Sequence, residues 1–259
     1  MSPKAATVFP WVDMELKVTR DTLPGVIIQV YTAQSVSEAR ALAGLGVDHV
    51  GVTISRRGLP GEIEDQVGKD IVSALADSAA LVVALTVETD LEAIRSFARE
   101  IQPDILHLCG DTNLVGPDEV ARLGAWLDED GMSVDLMQAI GVTGEGSMDE
   151  ARAFEEHVDW LILDSYSEAV EGIGAAGTTH DWEVSRRIVR ASSVPVILAG
   201  GLGPDNVAEA IAAVGPAGVD SLTHTNHYRA DGSFEKDIDA VAAFVSLARS
   251  SGSSLGDPS

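Results

Sequence analysis

The feature that most constrains the fold is an eightfold alternation of short apolar runs with segments of helical periodicity. The apolar runs are rich in Val, Ile and Leu and lack polar alternation, which predicts parallel strands buried on both faces. Each run leads through a polar or glycine-rich connector into an amphipathic segment, which predicts a helix. The runs begin at Val26, His49, Ala80, Ile105, Ser133, Trp160, Val194 and Val219.

Eight such units in about 225 residues predict an α/β fold, a single (β/α)8 TIM barrel. The alternative is an open doubly wound sheet, but that fold typically has a glycine-rich first turn, and the connector TAQS after the first run contains no glycine. We therefore expect the barrel over residues 25–249. A short N-terminal extension precedes it at 1–24, and a flexible Ser/Gly-rich tail follows at 250–259.

The charge balance excludes several classes of partner. The chain has 41 acidic and 17 basic residues, a net charge of −24, so its field repels nucleic acids and anionic membrane surfaces. A small anionic or phosphorylated substrate is compatible with this charge, because backbone N–H groups at a helix start can bind phosphate without cationic side chains. The single cysteine excludes a disulfide framework and a thiolate metal cluster.

No apolar run approaches the roughly 18 residues of a membrane span, and the N-terminus does not resemble a secretion signal. These observations predict a cytoplasmic protein. We expect a monomer or a homodimer, and no cofactor.

Candidate site residues come from the ends of the predicted strands, because active sites of this fold lie where strands end and the βα loops begin. Among them, two basic residues follow the second strand and suit an anionic substrate. The candidates in strand order are Gln29, Tyr31, Arg56, Arg57, Glu88, His107, Cys109, Gln138, Asp164, Gly200, Gly201, Thr223 and His224.

The sharpest local signal is the stretch VILAGGLGPDNVAEAI. A buried strand runs into Gly200 and Gly201, and a helix is expected to start at Pro204 and Asp205. Paired glycines permit close approach of a ligand, and a helix start offers free N–H groups to an anion. The stretch therefore predicts a phosphate site, and the alternative is a tight turn without a ligand.

Asp164 ends the apolar run WLILD. A carboxylate at the end of a buried strand is costly unless it meets solvent, a partner or a substrate. We interpret it as a catalytic or ligand-binding acid, and the alternative is a structural acid bonded to a loop N–H.

His107, Asp164 and His224 fall on alternate strands, which share a layer in such barrels. Two imidazoles and a carboxylate can hold a divalent metal. The interpretation we favour has no metal, with His107 packed or hydrogen-bonded and His224 in a loop. Cys109 is either a reactive thiol or an inert apolar filler.

Several stretches resemble the phosphoribosylanthranilate isomerase family. They are QAIGV, EARAFEEHVDWLILDS, GAAGTTHDW and VILAGGLGPDNVAEAIAAVGPAGVD, with weaker likeness in SEARALAGLGVDHVGVTIS and PDILHLCGD. The resemblance spans nearly the whole chain after residue 25 and implies the same barrel. It also implies substrate-binding roles for Thr178 and His180 in the third stretch.

The family converts an aminoaldose phosphate to an aminoketose. An acid at the end of strand six opens the sugar ring, and a cysteine on strand one removes the C2 proton; Asp164 matches the acid. The strand-one motif Lys-x-Cys-Gly-x-Thr falls on residues 29–34, so Gln29 replaces the lysine and Tyr31 the cysteine. Tyrosine is a poor base at neutral pH because its ordinary pKa is near 10.

Other family motifs are changed as well. The strand-eight Ser-Ser-Gly, which helps to bind phosphate, falls on residues 222–224, and the middle pair of a Gly-Gly-Thr-Gly loop falls on Ala175 and Ala176. The strand-seven glycines are kept, as is an arginine after strand two, either Arg56 or Arg57.

These departures lead to three hypotheses. The first is a divergent isomerase-like enzyme that isomerises, epimerises or cleaves a small anionic, sugar-phosphate-like substrate. Asp164 would be its acid or base, and Tyr31, His107, Cys109 or Glu88 would supply the second group. The second is the isomerase of the family with a relocated base. The third is a barrel that binds a ligand without turnover.

Overall fold

The computed structural model describes residues 25–165 and 181–252, and in them eight parallel strands close into a barrel in chain order. Each predicted apolar run overlaps one of these strands, so the predicted TIM barrel is confirmed. Closure comes from β1, which pairs with both β2 and β8. The strands are β1 Ile27–Val30, β2 His49–Thr53, β3 Leu81–Thr86, β4 Ile105–Leu108, β5 Asp135–Gly141, β6 Trp160–Asp164, β7 Val196–Leu198 and β8 Gly218–Ser221.

One helix follows each strand and packs on the outside of the barrel. A hairpin that the sequence pattern did not predict comes between β8 and the last helix: a 3-10 turn at Thr223–Thr225, then antiparallel strands β9 Asn226–Tyr228 and β10 Phe234–Lys236. The helices are α1 Val36–Gly44, α2 Asp65–Leu75, α3 Leu91–Ile101, α4 Pro117–Glu129, α5 Gly146–Phe154, α6 Trp182–Ala191, α7 Val207–Val214 and α8 Ile238–Gly252.

The last helix extends to Gly252, so residues 250–252 belong to the helix rather than to the predicted tail. The predicted extension at 1–24 and the end of the tail lie outside the described residues. No helix within the two described ranges is both long enough and apolar enough to cross a membrane.

Strand alternation divides the core into two apolar regions. On β1, Ile28 and Val30 face the helices, whereas Ile27 and Tyr31 face the barrel interior. The outer region is the larger and joins the sheet to all the helices, which holds the barrel together by burial of apolar surface. The inner region is small and is interrupted by polar side chains, and these side chains form the site described below.

Candidate active site

Three side chains form a hydrogen-bonded chain across the upper interior of the barrel. The Tyr31 hydroxyl lies 2.8 Å from His107 Nδ1, and His107 Nε2 lies 3.1 Å from the Cys109 sulfur. All three residues are buried. Because both ring nitrogens of His107 are engaged, the three groups act as one polar unit that links β1 to β4.

Gly51 on β2 makes room for the aromatic ring of Tyr31. A Cβ atom placed on Gly51 would lie 2.3 Å from Tyr31 Cδ1, far inside van der Waals contact. The ring therefore occupies the space that a side chain on β2 would take, and a glycine is required beneath it.

Burial keeps the three hydrogen-bonded side chains neutral. It raises the pKa of the Tyr31 phenol and of the Cys109 thiol well above their ordinary values, and it lowers the pKa of His107 to about 3. Near pH 7 the phenol and the thiol are protonated and the imidazole is uncharged. This arrangement can position or relay a proton, but it presents no ionised base.

Asp164 ends β6 and faces the interior at the barrel mouth, where it is partly open to solvent. Burial of the carboxyl raises its pKa to about 7, although the Ser165 N–H donates a 2.6 Å hydrogen bond to Oδ1 and opposes the shift. A carboxyl group that is partly protonated at neutral pH can give a proton to a ligand at the mouth. The location predicted for Asp164 is therefore the observed one.

Asp220 on β8 is a second interior acid, which the sequence reasoning missed. Burial and the nearby Asp164 charge raise its pKa to about 8, although Gln29 and the Lys236 ammonium oppose the shift. Its Oδ1 atom is buried and forms no hydrogen bond to any described residue. The signal in the sequence was an acid in the middle of the run VDSLT, at the inward position two residues before Leu222.

Lys236, on β10 of the hairpin, is buried against the end of β1. Its ammonium donates to the Tyr31 carbonyl and to Asn226 Oδ1, and burial lowers the pKa of the amine to about 7. Sequence reasoning missed it because nothing in the pattern indicated that the hairpin folds back over the barrel mouth.

The glycine turn after β7 adopts the left-handed backbone region. Gly200 and Gly201 have φ values of 85° and 62°, which favour glycine. Asn206 fastens the turn, because its amide donates to the Gly201 carbonyl and its Oδ1 accepts from the Gly203 N–H. The helix α7 begins at Val207, with Asn206 at its N-cap, and not at Pro204 and Asp205 as predicted.

The two arginines after β2 point in different directions. Arg56 forms ion pairs with Asp65 and Glu100 on the outer helices. Arg57 lies 3.4 Å from Glu88, in the loop that follows β3. Arg57 is therefore directed toward the βα loop that follows β3. Arg56 is held by the outer helices and also lines the cleft beside the mouth.

A second polar cluster lies lower in the barrel, near the starts of the strands. His49 Nδ1 lies 3.1 Å from Gln29 Oε1, the His49 ring packs edge-on against Trp160, and Trp160 Nε1 donates to Asp135 Oδ2 at 3.0 Å. Burial lowers the pKa of His49 to about 4. We call Gln29, His49, Asp135 and Trp160 the lower polar cluster, and Tyr31, His107, Cys109, Asp164 and Asp220 the upper polar cluster.

The two glutamines proposed to bind substrate do not lie at the rim of the mouth: Gln29 is level with Asp220, and Gln138 faces outward. Gln29 is fully buried and lies one inward position deeper than Tyr31. Gln138 is placed wrongly by the prediction: its neighbours Met137 and Ala139 face the interior, so alternation turns Gln138 toward the helices. There its amide donates to the carbonyls of Leu108 and Ala139.

The remaining predicted residues are dispersed. Thr223 lies in the 3-10 turn after β8, and the exposed His224 packs beside Gly203. Within the described ranges no three metal-ligating side chains converge, so His107, Asp164 and His224 do not form the metal site considered above. Thr178 and His180 lie outside the described residues.

A cleft of about 990 Å³ opens beside the mouth, between the loop after β2 and the β9–β10 hairpin. Tyr228 and Phe234 contribute a tilted ring pair with centroids 5.5 Å apart. Leu59 and Leu222 line the cleft and also pack on the inner core, so the cleft adjoins the upper polar cluster. Its size suits a small organic ligand.

Comparisons with known proteins point to one family. The sequence profile of N-(5'phosphoribosyl)anthranilate (PRA) isomerase matches residues 28–222. The N-(5'-phosphoribosyl)anthranilate isomerase of Haloferax volcanii is 34% identical over 198 residues, which cover 76% of this chain and 81% of that protein. That of Natronomonas pharaonis is 32% identical over 204 residues, 78% of this chain and 88% of that protein.

Solved structures agree on the fold. The N-(5'-phosphoribosyl)anthranilate isomerase of Pyrococcus furiosus superposes with a TM-score of 0.67 at 21% identity, covering 87% of this chain and 99% of that one.

Proposed function

Because the chain belongs to the N-(5'-phosphoribosyl)anthranilate isomerase family, we propose that it catalyses the isomerisation of N-(5'-phosphoribosyl)anthranilate with a base that is not a strand-one cysteine. This is the second of the three hypotheses above. The observation that carries it is Asp164, an interior carboxyl of raised pKa at the end of β6, where the resemblance locates the acid.

The substrate has two anionic groups, a phosphate and an aromatic carboxylate, and the mouth offers a place for each. The Gly200–Gly201 turn and the start of α7 present backbone N–H groups suited to the phosphate. Arg56, which lines the cleft together with the aromatic wall of Tyr228 and Phe234, suits an aromatic acid. These assignments are part of the proposal.

The reaction needs one acid and one base. Asp164 gives its proton to the ring oxygen, the bond from that oxygen to C1 breaks, and the nitrogen lone pair forms a C1=N iminium. A base then removes the C2 proton, and the resulting enolamine becomes the aminoketose by moving its hydroxyl proton to C1. No atom is gained or lost, and a partly protonated Asp164 meets the requirement for the first step.

The test is turnover of N-(5'-phosphoribosyl)anthranilate by the purified chain, followed as loss of its fluorescence. We expect saturable turnover that Asp164→Asn reduces strongly while the variant stays folded. A folded protein that does not convert this substrate would contradict the proposed reaction. The first hypothesis, a changed sugar-phosphate substrate, would then take its place, since Tyr31 occupies the position of the family's cysteine.

A further inference from the structure

We propose that Asp220 is the base of this active site, the group that removes the C2 proton while Asp164 serves as the acid. The proposal rests on the isomerase function proposed above. It assigns the role that the missing strand-one cysteine leaves open, and it places that role on β8.

The pairing of strands places Asp220 next to the position of the missing cysteine. Asp220 is paired in register with Gln29 across β1 and β8, and the Tyr31 N–H donates to the Ser221 carbonyl at 3.0 Å. The Asp220 carboxyl therefore lies one strand away from Tyr31 and one inward position deeper. Leu222, the next inward residue and the first beyond the end of β8, lines the cleft, so Asp220 lies below its wall.

The surroundings of Asp220 suit a reactive carboxyl better than a structural one. Structural acids in a protein interior have their oxygens satisfied by donors. Asp220 Oδ1 and the Nε2 atom of Gln29 across the strand pair are both buried without a hydrogen bond of good geometry to any described residue, although the Gln29 amide is near enough to lower the pKa of Asp220. Gln29 Oε1 is held by His49.

The other described candidates are less suited to be the base. Burial raises the pKa of Tyr31 and of Cys109 well above their ordinary values of 10.0 and 9.0, whereas the pKa of Asp220 is about 8, so Asp220 ionises more readily near neutral pH. Both nitrogens of His107 are occupied. Glu88 accepts hydrogen bonds from the Thr89 and Asp90 N–H groups, and these, with Arg57, lower its pKa and its basicity.

Asp164 and Asp220 can also restore each other after a turnover. The Asp164 charge raises the pKa of Asp220, so near neutral pH the pair holds a proton, and the form that reacts has that proton on Asp164 and the negative charge on Asp220. In the reaction Asp164 loses a proton to the ring oxygen and Asp220 gains one from C2. Transfer of that proton back to Asp164 returns the pair to its starting state, with no other reactant required.

The experiment compares wild type with Asp220→Asn, on unlabelled substrate and on substrate carrying deuterium at C2. Asparagine keeps the shape of the side chain and removes the basic oxygen. We expect kcat to fall by about 100-fold or more with little change in KM. We also expect the deuterium isotope effect on kcat to increase, because removal of the C2 proton becomes the slow step. In Asp164→Asn the ring-opening step becomes slow, so the isotope effect decreases.

Three further variants separate chemistry from structure. Asp135→Asn makes the same change in the lower polar cluster and is expected to keep kcat near the wild-type value. Asp220→Glu retains a carboxyl and is expected to recover part of kcat, and it serves as the test if Asp220→Asn does not fold. Lys236→Met removes the neighbouring amine, and its isotope effect is expected to match that of wild type.

The outcomes distinguish the two proposals. Wild-type turnover together with near-normal kcat and an unchanged isotope effect in Asp220→Asn would overturn the role of Asp220 and leave the isomerase function standing. A larger isotope effect in Lys236→Met than in Asp220→Asn would assign the base to Lys236 instead. A folded wild-type protein that does not turn over the substrate would overturn the proposed function, and the role of Asp220 in it.

Discussion

The upper and lower polar clusters of the barrel interior contain similar side chains but differ in their carboxyl groups. Each has a buried histidine whose pKa burial lowers, an aromatic ring and a carboxylate. In the lower cluster the Asp135 carboxylate accepts from Trp160, and His49 contacts Gln29. In the upper cluster two carboxyls have strongly raised pKa values, and one oxygen of Asp220 has no partner in the described part of the chain.

The difference between the carboxyl groups of the two clusters separates polar groups that stabilise the barrel from polar groups that take part in a reaction. A satisfied group contributes a hydrogen bond to the stability of the fold. A carboxyl held at a raised pKa destabilises the fold once it ionises, and such a cost is typical of active sites.

The largest effect on turnover is expected from replacing Asp164, the proposed general acid in the upper polar cluster. Asp164→Asn should lower kcat by about 10²- to 10⁴-fold, the usual range for loss of a general acid, without loss of fold. Steady-state kinetics and circular dichroism measure the two quantities. Asp135→Asn is the control in the lower cluster, and equal losses of kcat in both variants would contradict the functional difference between the clusters.

A smaller effect on turnover is expected when the hydrogen bond between Tyr31 and His107 is removed. Tyr31→Phe removes the hydroxyl that bonds His107, and it should lower kcat by less than about 10-fold because the protonated phenol is not the base. A loss of 1000-fold would instead assign the base to Tyr31.

The corresponding change in the lower cluster is His49→Phe. It leaves Gln29 Oε1 without its partner and should cost about 1–3 kcal/mol of unfolding free energy. Turnover should stay near the wild-type value. Chemical denaturation and kinetics on the same sample check both expectations.

The upper cluster should also make stability depend on pH. The Asp220 carboxyl is mostly protonated in the folded chain below its pKa of about 8, whereas in the unfolded chain it ionises near its ordinary value. The unfolded state therefore releases the proton first, and the free energy of unfolding falls as the pH rises from 5 to 7. Asp164 acts in the same direction.

Asp220→Asn should lessen this fall, so its melting temperature relative to wild type should rise between pH 5 and pH 7. The groups that face Asp220 are Asp164, Tyr31, Cys109 and Lys236, and the Lys236 amine titrates near pH 7. The comparison is therefore made below that pH. A constant difference in melting temperature would contradict the raised pKa.

The smallest effect is expected outside both clusters. His224 is exposed beside Gly203, so His224→Ala should change KM by no more than a few-fold and leave kcat unchanged. A large loss of kcat would show that His224 reaches the reacting atoms.

The barrel could be predicted from the sequence because eight apolar runs and their helices repeat locally, and the short-range pattern determines each unit. Asp164 could be predicted because it ends such a run. The β9–β10 hairpin could not, because its strands are three residues each and carry no clear alternation.

The direction of Gln138 was predicted wrongly because the strand-end rule ignores the alternation of faces. Side chains two residues apart on a strand face the same side, so an inward Leu222 would have predicted that Asp220 also faces the interior. Lys236 depends on the hairpin folding over β1, a long-range contact that no local pattern contains.

The pairing of Tyr31 with Gly51 has a consequence for engineering. The aromatic ring fits only because β2 has no side chain beneath it. Changing Tyr31 to the family's cysteine would therefore leave a void the size of a phenol, at a cost of several kcal/mol by analogy with large-to-small core substitutions, which cost about 3–5 kcal/mol. Restoring a strand-one thiol thus requires two coordinated substitutions, one on each strand, and single-step mutation between the two forms passes through a weakened protein.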